Sequence, residues 1–397
     1  METSVLSKKQ FKVVFISNAL AHSQRPFCDQ LFKEYQNNFA FIQTSEISKE
    51  REKIGSSKTR PYLIKAQNNL KKCKKMCDDA DVLIFGFAPF FYLQKRVEMN
   101  KLTFIYSERL FKRHFWSYFN PVSLIRLYKN FIKPGRCSNF YLLAASAYAP
   151  NDFIRIGAFK DRMLKWGYQP DVCNETYDCL TKKKNWALFE FIWVGRLVKL
   201  KHCDHAILAF EKLSKKFNNI HMNIIGDGPE MNNLKKLVEK KSLFRKVDFL
   251  GSLDINTTRE YMKKSNFFIF SSDKREGWGM TLNECMNYGV VCFASHLAGA
   301  SGFLIKNKFN GFIYKYGDIN GLVKQIEEVL LNPDIQQQIA SNANKTILYQ
   351  WNSQISIKRF LSFVNDFALK KDDGYVFFED GPCSKAEPLK KGWYRQC

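Results

Sequence analysis

Two glutamates with seven residues between them, Glu276 and Glu284, bracket a glycine-bearing turn in the stretch SSDKREGWGMTLNECMNYG, residues 271–289. The turn directly follows the apolar run NFFIFS, 266–271, so the segment reads as strand, turn and helix. Gly277 and Gly279 let the backbone come close to a ligand. A helix starting near Met280 or Thr281 aims free N–H groups and a partial positive charge beyond the strand end. That combination suits a diphosphate. Glu284, about one turn into the helix, can accept hydrogen bonds from vicinal hydroxyls, as acidic residues do with ribose in dinucleotide sites. Glu276 lies ahead of the helix, nearer a reacting end. Taken by spacing alone, both could equally be solvated surface acids.

Cations stand where the same chemistry needs them. The strand-like run FEFIWV, 189–194, leads into Gly195-Arg196-Leu197-Val198-Lys199-Leu200-Lys201. A guanidinium with a nearby ammonium at a strand's carboxyl end suits a phosphate clamp, although any single Arg or Lys there could be surface decoration. A third apolar run ends in Ile224-Ile225-Gly226-Asp227-Gly228-Pro229, a tight turn that leaves space beside it for a flat base.

Taken in order, these pieces resemble the nucleotide-binding half of the retaining, group 1 (family 4) glycosyltransferases of GT-B fold. The similarity covers 189–330 and rests on VGRL with Lys201, IIGDGP, FLG at 249–251, the glutamate pair in EGWGMTLNE, the 289–291 continuation, and NGFIYKYGD at 310–318. The resemblance implies that Arg196 and Lys201 bind the donor diphosphate and stabilise its charge as it leaves, and that Glu276 holds hydroxyls of the donor sugar. It implies that Glu284 holds the ribose, that Gly277, Trp278, Gly279, Met280 and Thr281 form the phosphate cradle, and that Gly226, Asp227 and Gly228 border the base. Retention is then attributed to front-face attack, with the leaving phosphate assisting deprotonation of the acceptor. No metal and no cofactor are implied, because the nucleotide-sugar is a substrate; uridine is the commoner base. One departure is that Lys201 is followed by His202, where the family commonly has glycine.

The elements that must position these residues alternate along the chain as in a parallel sheet wrapped by helices, giving an α/β protein of two Rossmann-like domains facing each other across a cleft. Strands are expected over 11–17, 39–44, 81–86, 102–107 and 141–146, then over 189–194, 221–225, 246–250, 266–271 and 290–294. The expected division is an acceptor-binding domain at 1–170, a linker at 171–187 and a nucleotide-sugar domain at 188–350. A helix at 351–371 would cross back to the first domain, and the tail at 372–397 fits no period. In the first domain, His22 in the loop after the first strand, Glu108 at a strand end and His114 are candidates for contact with the sugar or the acceptor, with a plain surface histidine the competing reading for His22 and His114. Glu108 could instead be a helix-capping acid paired to Arg109.

A formal net charge of +24 favours acidic ligands, anionic membrane surfaces or nucleic acid. Frequent Lys, Asn, Ile and Phe, as an AT-rich genome produces, would give the same excess without a function. Basic residues mix with Phe, Trp and Tyr over 95–136, a pattern that suits peripheral binding to an anionic bilayer. No apolar run reaches the roughly 18–20 residues that cross a membrane. The start of the chain shows no apolar core of a secretory signal, and the eleven cysteines are scattered, so reduced thiols and a cytoplasmic place on the inner membrane face are expected. The expected partners are a nucleotide-sugar donor, a glycan or glycolipid acceptor and an anionic membrane surface. The alternative is a non-catalytic polyanion- or nucleic-acid-binding Rossmann protein. No helix-turn-helix, zinc-finger or RNA-binding signature supports it, and no nucleic-acid partner is expected.

Overall fold

The computed structural model describes residues 11–46, 60–112, 120–369 and 378–395. The first domain holds β1 (Val13–Ser17), β2 (Phe39–Gln43), β3 (Leu63–Lys65), β4 (Val82–Phe85), β5 (Thr103–Ser107), β6 (Phe140–Ala144) and β7 (Met163–Lys165). The second holds β8 (Phe189–Val194), β9 (Ile220–Ile225), β10 (Val247–Gly251), β11 (Phe267–Phe270), β12 (Val291–Ser295) and β13 (Phe312–Tyr314). The strands run in the order β3-β2-β1-β4-β5-β6-β7 in one sheet and β10-β9-β8-β11-β12-β13 in the other. Every pairing within them is parallel. Helices cover both faces of such sheets, which is why VVFIS, VLIF and FFIF are buried at every position and read as continuous apolar runs.

The strand order reverses between β1 and β4 in the first sheet and between β8 and β11 in the second. Loops leaving these neighbouring strands diverge and open a crevice, so the two switch points supply the two walls of one cleft. Three strands were not expected. β3, β7 and β13 have three residues each and carry no apolar run long enough to stand out from loop.

After two helices, Ile319–Leu330 and Pro333–Tyr349, the chain enters the helix Ser353–Leu369. Its Ile357, Phe360, Phe363 and Val364 join Phe27, Phe104 and Trp166 in the first domain's core. The ring of Phe360 lies 4.9 Å from that of Phe104 and 5.7 Å from that of Trp166. The tail, to which the sequence assigns no structure, docks on the first domain. Cys383 N–H donates to the Lys165 carbonyl at 2.8 Å, Ala386 N–H to Met163 at 2.9 Å, and Lys165 Nζ meets Asp380 Oδ1 at 2.7 Å. Backbone pairing along an open sheet edge needs no side-chain period, so the tail left no sequence signal.

The domains share buried surface. The indole of Trp278 packs with Gly167, Tyr168 and Trp351. The Ala147 N–H donates to Gly299 O at 2.8 Å, and the Tyr148 hydroxyl to His296 O at 2.6 Å. The tail reaches this seam, where the ring of Tyr394 lies 4.0 Å from that of His296.

Candidate active site

β8 and β11 are adjacent, so the turns that follow them meet. Lys201, from the turn after β8, donates its ammonium to Glu276 Oε2, and Ser272 Oγ donates to the same oxygen at 3.0 Å. The two charged side chains are only 16% and 14% exposed. Ser271 Oγ locks the junction, donating to the Lys201 carbonyl at 2.8 Å while accepting from Trp193 Nε1 at 3.1 Å. Glu276 is therefore a positioned carboxylate rather than a solvated surface acid.

The helix Met280–Asn287 begins at Gly279, whose φ of 98° is left-handed, and no side chain caps its first turn. The N–H groups of that turn point out of the helix with the positive end of its dipole. Thr281 at this turn has a buried Oγ1 with no protein partner. Trp278, expected in the cradle, gives its backbone to that loop, but its indole is buried in the domain seam and donates to Asn283 Oδ1 at 2.8 Å.

Glu284 is also enclosed. Burial pushes its carboxyl up to about 7, against the opposing pull of Arg259, whose Nη2 lies 3.8 Å away, and with a small addition from Asp171. Arg259 was missed at the level of sequence because it sits in the amphipathic helix Ile255–Lys264, where an arginine reads as solvated. The turn 226–229 is fastened to the turn after β8: Gly195 N–H donates to Ile225 O at 3.0 Å and Leu197 N–H to Asp227 O at 2.8 Å. Gly226 N–H donates to Gly251 O at 2.7 Å, which brings the FLG segment alongside. Asp227 is exposed and accepts from Gly228 N–H at 2.6 Å. His202, the departure from the usual glycine, keeps a left-handed backbone with φ 48° and ψ 49°.

Facing this wall is a cavity of about 960 Å³, lined by residues 17–24, by 106–110, by Tyr168 and by Arg196 from the second domain. Arg196 is exposed there and has no ion-pair partner among the described residues. His22 lines the same cavity, whereas His114 lies outside the described residues. Glu108 stands at the junction of the walls. Its carboxylate accepts from Lys112 Nζ and from the Tyr168 hydroxyl at 2.8 Å, and it lies against Gly277, where a Cβ would come within 2.0 Å of it. Arg109 pairs with Asp152 at 3.6 Å rather than with Glu108, because its guanidinium is drawn back over the ring of Tyr148.

Two Rossmann-like domains with a phosphate-type cradle on one wall define a GT-B fold. Residues 182–346 match the family model "Glycosyl transferases group 1". Among curated relatives, N-acetyl-alpha-D-glucosaminyl L-malate synthase of Bacillus anthracis is 23% identical over 203 residues, which are 50% of this chain and 52% of that protein. Poly(ribitol-phosphate) alpha-N-acetylglucosaminyltransferase of Staphylococcus aureus is 26% identical over 43% of this chain and 34% of its own. The match thus spans about half the length of these relatives or less. Solved structures align over both domains: Anabaena HepE in complex with UDP has a TM-score of 0.64 at 15% identity, covering 91% of this chain and 99% of its own. For TarM the TM-score is 0.63 at 12% identity, over 90% and 99%.

Proposed function

We propose that the protein is a retaining glycosyltransferase of family 4 that moves a hexosyl unit from a nucleotide-sugar, with uridine the expected base, to a lipid-linked oligosaccharide or polysaccharide acceptor in bacterial surface-glycan biosynthesis. The observation that carries this reading is the enclosed Lys201–Glu276 pair beside an uncapped helix N-terminus, with Arg196 of the same turn exposed to the cleft. A diphosphate entering the cradle would compete for the Lys201 ammonium. That exchange releases Glu276 to accept hydroxyls of the donor sugar. Arg196, Lys201 and the helix N-terminus then meet the charge that grows on the departing diphosphate, and the transfer step is assigned to these groups without a metal. Glu284, in its ionised form, accepts the ribose hydroxyls. The UDP in the HepE complex and the glycan-directed names of the curated relatives support the donor and acceptor classes.

The acceptor side carries a membrane reading. Phe87, Val122 and Ile125 are 76%, 69% and 56% exposed, and Arg126, Lys129 and Lys133 follow the latter two in one helical stretch. Apolar side chains ringed by cations suit the interface of an anionic bilayer that carries the acceptor. The Val122→Glu/Ile125→Glu double variant should lose most of its co-sedimentation with phosphatidylglycerol vesicles at low salt while keeping its affinity for UDP. Undiminished sedimentation would remove the membrane assignment.

The transfer itself is tested by incubating the protein with UDP-glucose or UDP-N-acetylglucosamine and a lipid-linked acceptor, reading UDP release and the anomeric coupling of the product by NMR. An α-linked product from an α-configured donor is expected. A β-linked product would show inversion and contradict the front-face assignment.

A further inference from the structure

Immediately behind the diphosphate clamp, three metal-ligating side chains converge that the transfer chemistry does not use. His202 Nδ1 lies 3.6 Å from Asp204 Oδ1, and His205 Nε2 lies 4.0 Å from Asp204 Oδ2. One ligand atom from each residue falls within 4.8 Å of the others. The two imidazole rings lie 4.7 Å apart at an interplanar angle of 31°. In a tetrahedral site with bonds of about 2.0–2.2 Å, neighbouring ligand atoms stand roughly 3.3–3.5 Å apart, so small side-chain rotations would close the gap. We propose that His202, Asp204 and His205 form a binding site for one divalent transition-metal ion of the zinc class, at the start of the helix Cys203–Ser214 and outside the transfer step.

Three further observations point the same way. His202 occupies a left-handed backbone position that glycine adopts without strain, and in that position its Nε2 lies 2.8 Å from the Tyr316 hydroxyl and 3.3 Å from Asp273 Oδ2. A ligating imidazole characteristically gives its other nitrogen to a carboxylate or hydroxyl, which fixes the ring and the tautomer. Here that second nitrogen is already engaged, which leaves Nδ1 turned toward Asp204. His205 is not held in a comparable way. Its Nδ1 is buried without a partner, and its Nε2 stands beyond hydrogen-bond distance of Asp204. Finally, a cavity of about 260 Å³ between Leu197 and Leu237 opens onto His202 and Asp204, with room for water in the remaining coordination positions.

The donor set selects the ion. Two neutral imidazoles and one carboxylate suit zinc, cobalt or nickel, whereas magnesium and calcium require more oxygen ligands. The positive end of the helix opposes any cation there, and Asp204 in the first turn offsets that field. An ion at this place would hold the His202 ring against Asp273, whose carbonyl accepts from Glu276 N–H at 3.0 Å. The ion is thereby a brace for the loop that carries Glu276.

The test uses the full chain, dialysed against a chelator and titrated with Co²⁺, with visible absorption and thermal melting as readouts. We expect the d–d bands of four-coordinate cobalt to saturate at one ion per chain, zinc to displace it, and the melting temperature to rise. His205→Gln and Asp204→Asn should each weaken binding by roughly tenfold or more. His221→Gln should not, since the group His221, Glu190 and Asp248 offers a single imidazole. Asp204 is half-exposed, so its substitution keeps the test valid should His205→Gln fail to fold. No saturable absorption in a large excess of ion, equal binding by both variants, or thiolate charge-transfer bands that assign the ion to cysteine would each overturn the proposal. Because the readout is binding to the protein alone, it stands or falls apart from the transferase reading.

Discussion

The wall of the cleft built by the second domain and the wall built by the first are both made of loops leaving a parallel sheet, yet the former encloses its charged groups and the latter borders open space. On the second-domain wall, Glu276 is tied to Lys201 and Ser272, and Glu284 faces Arg259 in an enclosure whose burial pushes its carboxyl up to about 7. On the first-domain wall, residues 17–24 border an open cavity, and Phe87 stands exposed at its edge. A wall that must stabilise charge on a diphosphate gains from groups fixed in advance, since they need no reorganisation when the charge appears. A wall that admits a large glycan or lipid acceptor, as proposed for the first domain, needs room more than fixity.

This contrast can be broken most severely at the rigid wall. Glu276→Ala and Lys201→Ala should each reduce kcat by about 10²–10³-fold, the scale of losing one preorganised electrostatic partner, while the Glu276 variant keeps UDP affinity within a few-fold. Steady-state kinetics with parallel calorimetry would check this. Turnover close to wild type in both would remove the site assignment.

A smaller effect is expected where the walls touch. A methyl group at position 277 would sit 2.0–2.3 Å from the Glu108 carboxylate, and Glu108 is itself anchored by Lys112 and Tyr168. Gly277→Ala should cost about 1–3 kcal/mol of stability through this overpacking and lower the melting temperature accordingly. A melting temperature equal to wild type would mean that the walls are not in contact there.

The third prediction concerns pH. Burial pushes the carboxyl of Glu284 up to about 7 in the folded chain from an ordinary value of 4.5. Between those values the folded state holds a proton that the unfolded state has released, so this group's contribution to stability falls as pH rises through that window. With Glu284 holding the ribose as proposed, nucleotide affinity moves in the opposite sense, because the ionised carboxylate is the form that accepts from both hydroxyls. UDP binding should weaken by up to about tenfold per unit as pH drops below 7. Glu284→Gln should flatten that part of the profile, leaving only the titration of the nucleotide phosphates.

The same contrast explains how far the sequence could be read. The second domain was legible because its motifs are short contiguous pieces: FEFIWV is a strand over 189–194 as expected, and the glutamate pair flanks a turn and a helix start. What escaped there came from outside the pieces. Arg259 reaches Glu284 from a separate helix, and Asp273 reaches His202 across two turns. In the first domain the five longer strands were visible as apolar runs, but β3 and β7 are too short to show. The contact between Glu108, Tyr168 and Gly277 is assembled from three distant segments and has no local pattern at all. The docking of the tail on β7 rests on backbone hydrogen bonds, which every residue but proline can make.

The preorganised nucleotide wall is tested most directly by calorimetric titration of the purified protein with UDP, GDP, ADP and an unrelated polyanion at two salt concentrations. Saturable binding of one nucleoside diphosphate per chain, UDP by expectation, with little change as salt rises is the predicted result. Binding of all four that disappears at the higher salt would show that the net charge, rather than the site at Lys201, Glu276 and Glu284, holds the ligand.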